Sequence, residues 1–278
     1  MKKRSSILII CLSLILILPG LSQAERIGIK LSGGTSYLVV GDPNASLKGL
    51  ADFLKDWASG GGRTIEGDIK PIHFGLDLEG DAIFYLTPRF GISFGSGYIY
   101  GEKGVDENEI AFMGQTFSDG MKVSAIPVRL GVYYYLPLSS RIRFFLNGGV
   151  GYYFAKWSET YRNEIPVGVI ARDQKAKANG VGFHGGVGFE FNLMSHIAFI
   201  FEGEGRYVKI GGFEGEKDPG VEKGTLYYFE NQIFAGGDWY PTIDIREQEP
   251  VGIFVRNIRE AKVDLSGFTF RAGIKITF

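Results

Sequence analysis

The sequence predicts an all-β fold: a transmembrane, up-and-down antiparallel β-barrel of eight strands, with long extracellular loops and one short loop helix. Three observations carry this reading. Eight segments alternate between an uncharged apolar face and a face rich in charge and glycine; their connections alternate between short and long; and the last segment ends, in phase, on the aromatic Phe278. The averages hide all of this. With 278 residues, 45% hydrophobic, 22% charged and a net charge of −1, the composition is that of an ordinary soluble protein. The charge balance removes the electrostatic case for binding nucleic acid. The single cysteine, Cys11, leaves no disulfide framework and no cysteine zinc site.

The first element is an export signal. Lys2, Lys3 and Arg4 precede an apolar run from Ile7 to Leu18, followed by Pro19, Gly20 and the small-residue site Ser22-Gln23-Ala24. That order predicts a signal peptide over residues 1–24, cut after Ala24, with the barrel domain over 25–278. The run is too short for a membrane anchor: twelve residues rise about 18 Å as a helix, against roughly 30 Å of hydrocarbon. Cleavage leaves 254 residues with a net charge of −4 and no cysteine.

The strands follow at residues 27–37, 72–86, 90–100, 126–136, 142–154, 181–191, 197–207 and 268–278, each with period 2. In the last, Phe268, Phe270, Ala272, Ile274, Ile276 and Phe278 share one face and Thr269, Arg271, Gly273, Lys275 and Thr277 the other. Across all eight, the apolar faces hold 51 positions without a charge, where random placement would give about 11. The opposite faces hold Lys30, Arg129, Arg141, Arg143, Arg206, Arg271 and Lys275 against Asp77, Glu79, Asp81, Glu190, Glu202 and Glu204. A soluble sandwich would alternate too, so the connections decide. Joints after the second, fourth and sixth strands are tight, at 87–89, 137–140 and 192–195. The other joints, at 38–71, 101–125, 155–180 and 208–265, are long. Short periplasmic turns and long outer loops belong to a membrane meander.

Lipid offers no partner to backbone N–H and C=O groups, so such a sheet closes on itself and turns its charges inward. Tyr37, Tyr98, Tyr100, Tyr152 and Tyr207 fall at the loop ends of strands, and Phe84, Phe90, Tyr134, Phe191, Phe199 and Phe278 at the turn ends, as two interfacial girdles. Pro127 lacks the N–H that a closed wall needs and is placed where its strand emerges, or at a bulge. In the first loop Leu47, Leu50, Phe53, Leu54 and Trp57 recur at helical spacing, which predicts a helix over 46–58 ended by Gly60 to Gly62. It either caps the barrel mouth, lies on the membrane or packs on neighbouring loops. The fourth loop carries two strand-like stretches, read as extensions above the membrane, with a ten-stranded barrel as the alternative. Its aromatics Tyr227, Tyr228, Phe229, Trp239 and Tyr240 form either a binding surface or the loop's own core.

Taken together, these strands and the terminal Phe278 resemble the small eight-stranded outer-membrane barrel families of the OmpA membrane-domain, OmpX and opacity-protein type. The resemblance implies insertion into a bacterial outer membrane by the barrel-assembly machinery, with Phe278 as the insertion signal, and contact with outer-membrane lipid and lipopolysaccharide. It carries no family-specific functional motif, and the fourth loop is unusually long for these families.

An eight-stranded barrel is just wide enough for its own side chains to fill, so the thirteen inward charges are expected to form a structural network holding it shut. His73 and His184 are placed facing inward and His196 at a turn, with no convergent ligand spacing. No metal, cofactor or catalytic residue is expected. The function expected is that of a non-catalytic integral membrane protein presenting its loops for surface interaction or envelope stability, its ligand unspecified. Two alternatives remain: transport of small or hydrophobic molecules through the barrel or a lateral opening, and modification of lipid A, which needs a Ser, His and carboxylate at the outer rim.

Overall fold

The computed structural model describes residues 27–218, 220–234 and 236–278; the expected signal peptide at 1–24, with Cys11, lies outside them. Eight antiparallel strands close a ring: β1 (Ile27–Gly41), β2 (Phe74–Thr87), β3 (Phe90–Lys103), β4 (Gln115–Pro137), β5 (Ile142–Ile165), β6 (Gly168–Asn192), β7 (Ile197–Tyr207) and β8 (Val263–Thr277). Each pairs with its sequence neighbour, and β8 returns to β1 with Ile276 opposite Ile29 and Phe270 opposite Thr35. The strand count is therefore eight; the additional strands of the fourth connection pair outside the ring.

The wall has the predicted two faces. Leu31, Phe74, Phe94, Leu130, Phe183, Phe201 and Phe270 project outward, each more than half exposed, and form part of a continuous apolar band that only lipid would cover. Tyr37, Tyr98, Tyr152 and Tyr207 stand outward at the upper margin of this band. Tight turns join β2 to β3, β4 to β5 and β6 to β7 at one end. In the first, the Thr87 hydroxyl oxygen accepts the Phe90 N–H at 3.0 Å, and in the second the Ser139 hydroxyl oxygen accepts that of Ile142 at 3.1 Å. Phe278 lies at this same end, exposed, its N–H donating to the Ile27 carbonyl at 2.9 Å.

At the other end the long connections are not loose. The stretch 155–180, read from sequence as a loop, is a continuation of β5 and β6, which run 24 and 25 residues and turn over only at Pro166-Val167. At about 3.3 Å per residue the eleven residues of β5 beyond Phe154 extend it by roughly 36 Å. The phase never breaks: Ala155, Trp157 and Glu159 continue the inner face. The outer face changes from Tyr152 and Phe154 to Lys156, which marks the passage from lipid to water.

The helix, α1, spans Asp42–Gly60, one turn longer at its start than the predicted 46–58. Pro43 sits in its first turn, where a missing N–H costs nothing. Asp42 accepts the Lys262 N–H at 2.7 Å and Arg259 at 2.8 Å, which pins the helix start. Just before it, a register shift at Leu38/Val40 and a left-handed backbone at Val40 (φ 65°) bend β1 out of the wall. Such a conformation is strained for a β-branched residue.

The helix packs on the neighbouring connections. Its Leu47, Ala51, Leu54 and Ala58 are buried, and Gly49 lies so close to the Pro241 backbone that no side chain would fit between them. With Phe112, Phe117, Trp157, Phe213, Leu226, Ile243, Ile245 and the strand tops Leu38, Val208 and Leu265 they form one hydrophobic core. Phe229 and Tyr240 are buried and Tyr228 half-buried, so most of the fourth-connection aromatics pack within this crown rather than face outward. Ile72, assigned from its phase to the lipid face, is fully buried here because β2 begins only at Phe74.

Pro127 lies within β4 between the outward Ile126 and Val128, near the level of the upper tyrosines, opposite Tyr153 of β5. On its other side the β3–β4 ladder lapses between Ser96–Val128 and Ile99–Ala125 without a change of register, so the irregularity is a gap and not a bulge. The Pro127 carbonyl is satisfied by the Ser96 hydroxyl at 2.8 Å.

Candidate functional site

The lumen is filled in tiers, each assembled from several strands because the period-2 pattern sends alternate side chains inward. Nearest the tight turns, Ile83, Tyr133, Tyr135, Phe145 and Ile200 form a buried cluster with Tyr85 against it. Lys275 lies over the rings of Tyr85 and Tyr135, 5.4 and 5.0 Å from their centroids, donates to the Tyr85 hydroxyl at 2.8 Å and pairs with Glu190, which Arg143 also reaches. Sequence reasoning missed this aromatic layer. It sits in runs such as Tyr133-Tyr134-Tyr135 and Phe144-Phe145, where both faces are apolar and alternation by hydropathy vanishes.

The middle tier is ionic. Lys30, fully buried, reaches Glu79 at 2.7 Å, Asp81 at 2.9 Å and Glu202 at 3.0 Å, and donates to the Tyr133 hydroxyl at 2.6 Å. Arg129 pairs with Glu204 at 3.1 Å and contacts Glu79. Arg271 crosses between Glu204 at 2.7 Å and Asp77 at 2.9 Å, with Glu202 at 3.5 Å. Toward the crown Arg206 closes the set on Asp77 at 2.7 Å, the Leu265 carbonyl at 2.9 Å and the Ser36 hydroxyl at 3.2 Å.

Twelve of the thirteen predicted charges thus converge. The exception is Arg141, whose phase placed it inward; it is exposed in the turn before β5, its carbonyl accepting the Asn192 N–H at 2.8 Å. Its removal sharpens the picture: six positive side chains, Lys30, Arg129, Arg143, Arg206, Arg271 and Lys275, face six negative ones. Neutrality matters here. Moving a single charge out of water costs several kcal/mol unless partners repay it. Glu79, Glu202 and Glu204 come close enough together to suggest a cation site, yet Lys30, Arg129 and Arg271 already occupy the space between them. Glycines 95, 97, 149, 151, 186 and 188 on the inner faces leave the width that these long side chains need.

This section is tightly filled: Lys30, Glu202, Glu204 and Arg271 are all at most 4% exposed. The histidines lie in three separate settings. His184 faces the lumen beside Gly149 and Gly131, as expected. His73 does not face inward: it precedes β2 and stacks on the outward Tyr37, ring centroids 5.5 Å apart. His196 is exposed at the β6–β7 turn, its carbonyl accepting the Thr277 N–H at 2.9 Å.

No curated protein matches this sequence. A solved structure with a similar strand arrangement is the outer membrane protein OprG from Pseudomonas aeruginosa, at 11% identity over 92% of this chain and 97% of that one, with a TM-score of 0.45. Residues 9–234 match the family described as outer membrane protein beta-barrel domain, a span that takes in seven of the eight strands and α1. The match covers most of the chain, and the chain belongs to this family: it is an outer membrane β-barrel protein of the bacterial outer membrane.

Proposed function

We propose that the protein is a non-catalytic membrane anchor that presents a folded crown on the cell surface, for interaction or for envelope stability. The observation that carries this reading is the contrast between the two halves of the molecule. The lumen is occupied by a neutral, buried set of ion pairs and an aromatic layer, while the four long connections share one hydrophobic core instead of trailing as separate loops. A conducting pore would spend its inner face on water, and a lipid-modifying enzyme would set a base and nucleophile together at the rim. His73 and His184 lie on opposite faces of the wall, and His196 lies at the tight-turn end, away from the outer rim where such a site would have to be.

Two measurements test it. Val167 tops the β5–β6 extension at 91% exposed. Val167→Cys is expected to react with a membrane-impermeant maleimide on intact cells; labelling only after lysis would put the crown on the other side. The refolded protein is expected to give no steady current in a planar bilayer, and stable unitary conductance would overturn the anchor reading.

A further inference from the structure

The crown contains a cavity of about 290 Å³ between α1, the extended tops of β4, β5 and β6, and the strand Tyr240–Arg246. It is small for a ligand pocket, at the lower end of the roughly 300–1,000 Å³ usual for such sites. Its walls combine the rings of Phe53, Tyr161 and Tyr240 with the charged groups Asp119, Glu159 and Arg172. Asp119 stands directly across from Tyr161 on the β4–β5 ladder, and Glu159 lies one inward position further along.

The charges in this cavity are unevenly matched. Glu159 is satisfied: Arg172 pairs with it at 3.2 Å and the Gln174 amide donates to it at 2.6 Å. Arg172 in turn lies over the Tyr161 ring, 5.4 Å from its centroid. Asp244 nearby is held by Lys217 at 3.1 Å and Arg246 at 3.0 Å. Asp119 is 2% exposed, and its Oδ1 has no hydrogen-bond partner among the described residues. Leaving a carboxylate oxygen buried without a donor is costly. Nothing in the barrel's structural logic asks for it, since Asp119 lies above the membrane band and outside the lumen network.

We propose that this cavity binds a small organic cation, an alkyl- or arylammonium whose head is received by Asp119 and whose apolar body lies against Phe53, Tyr161 and Tyr240. The chemistry selects this class. The one guanidinium is already paired with Glu159, which leaves no cation to receive an anion. A calcium ion needs six to eight oxygen ligands, and aromatic rings hold much of the wall here. An ammonium gains both a charge-assisted hydrogen bond and the faces of the rings. Burial, with Glu159 beside it, raises the Asp119 carboxyl well above the usual carboxylate range, the direction that a cation seated against it would reverse. The inference deepens the reading of the crown as the functional half of the molecule and rests on it.

Isothermal titration of 2-phenylethylamine into the refolded full-length protein, against matched micelles without protein, tests this. Expected are saturable binding with a Kd below about 1 mM, and weakening of about tenfold or more in Asp119→Asn. Neither 2-phenylethanol nor phenylacetate should show saturable binding. Should Asp119→Asn fail to give the folded gel mobility, Phe53→Ala at the half-buried mouth takes its place, with an expected loss of at least about threefold. The inference is overturned by equal binding of the neutral alcohol, by an Asp119→Asn variant that is folded and binds as well as the parent, by calcium binding without amine binding, or by no saturable heat at 10 mM amine, roughly tenfold above the expected Kd. A silent titration with a non-conducting barrel would leave the anchor reading standing, whereas amine binding by a conducting barrel would do the reverse.

Discussion

Replacing Lys30 with methionine keeps the length of the side chain and removes one charge from a neutral set of twelve. Lys30 touches three carboxylates at 2.7 to 3.0 Å and the Tyr133 hydroxyl at 2.6 Å, with no exposure. Removing one partner of a buried ion pair typically costs about 3–5 kcal/mol, because the remaining charge is left uncompensated. Glu79, Asp81 and Glu202 each lose a partner but keep another in Arg129, Tyr133 or Arg271, which puts Lys30→Met near the lower end, about 3–4 kcal/mol, or roughly two to three decades in the unfolding constant. Urea titration in phospholipid vesicles, read by the gel mobility of the heat-modifiable barrel, measures the loss. Adding Glu202→Gln restores neutrality, and the double variant should recover about 1–3 kcal/mol relative to the sum of the single losses. Arg141→Ala, which removes the predicted but exposed charge, should stay within about 0.5 kcal/mol of the parent. A Lys30→Met loss below about 1 kcal/mol, or strictly additive single and double variants, would refute the claim that charge balance holds the lumen together.

Three further outcomes are expected. Leu130→Arg, on the outward face near the middle of the apolar band, should cost about 2–4 kcal/mol in the same vesicle titration, since Leu130 is 55% exposed to what can only be lipid. Gly49→Leu should pry α1 off Pro241 and lower crown stability by about 1–3 kcal/mol, seen as faster proteolysis near the crown with the barrel's gel mobility unchanged. The crown should also loosen as pH rises. Burial raises the carboxyl pKa of Asp119, with Glu159 adding to it, and burial likewise raises that of Glu159. The folded state therefore binds protons that the unfolded chain, titrating near about 4, has released. That stabilisation is complete below about pH 4 and is lost as pH climbs through the raised folded values. Hydrogen exchange in β4 and β5 tops, followed from pH 5 to 8, should accelerate beyond the intrinsic pH effect, and Asp119→Asn should flatten the excess.

The barrel was legible in the sequence because lipid imposes one rule on every strand: no charge outward. That rule places Leu31, Phe94 and Leu130 outside and Lys30, Glu79 and Arg129 inside, as found. It fails where the rule no longer acts. Past Phe154 the outer face meets water, Lys156 and Lys175 appear there, and a strand reads like a loop although its inner face continues through Trp157 and Glu159. Near the turns the opposite happens: Tyr133, Tyr135 and Phe145 fill the lumen with the same residue types that face lipid, and hydropathy cannot separate the sides. Arg141 and Ile72 were misplaced for a shared reason, since phase has no meaning one or two residues beyond the end of a strand. The unmatched Asp119 was invisible because pairing is a matter of three dimensions. Along the chain Asp119 is one more acid in a polar stretch between Ser118 and Gly120.

The crown's core is drawn from all four connections: Leu47 and Leu54 from the first, Phe112 and Phe117 from the second, Trp157 and Ala176 from the third, Ile243 and Ile245 from the fourth. No one of these segments carries enough of that core to fold by itself. In the orientation proposed, the core is complete only when all four connections have reached the same side of the membrane, and its strand tops Leu38 and Leu265 belong to β1 and β8, which close the ring. A properly formed crown therefore implies a closed ring beneath it. An antibody that recognises only the assembled crown would serve as a reporter of barrel completion in living cells.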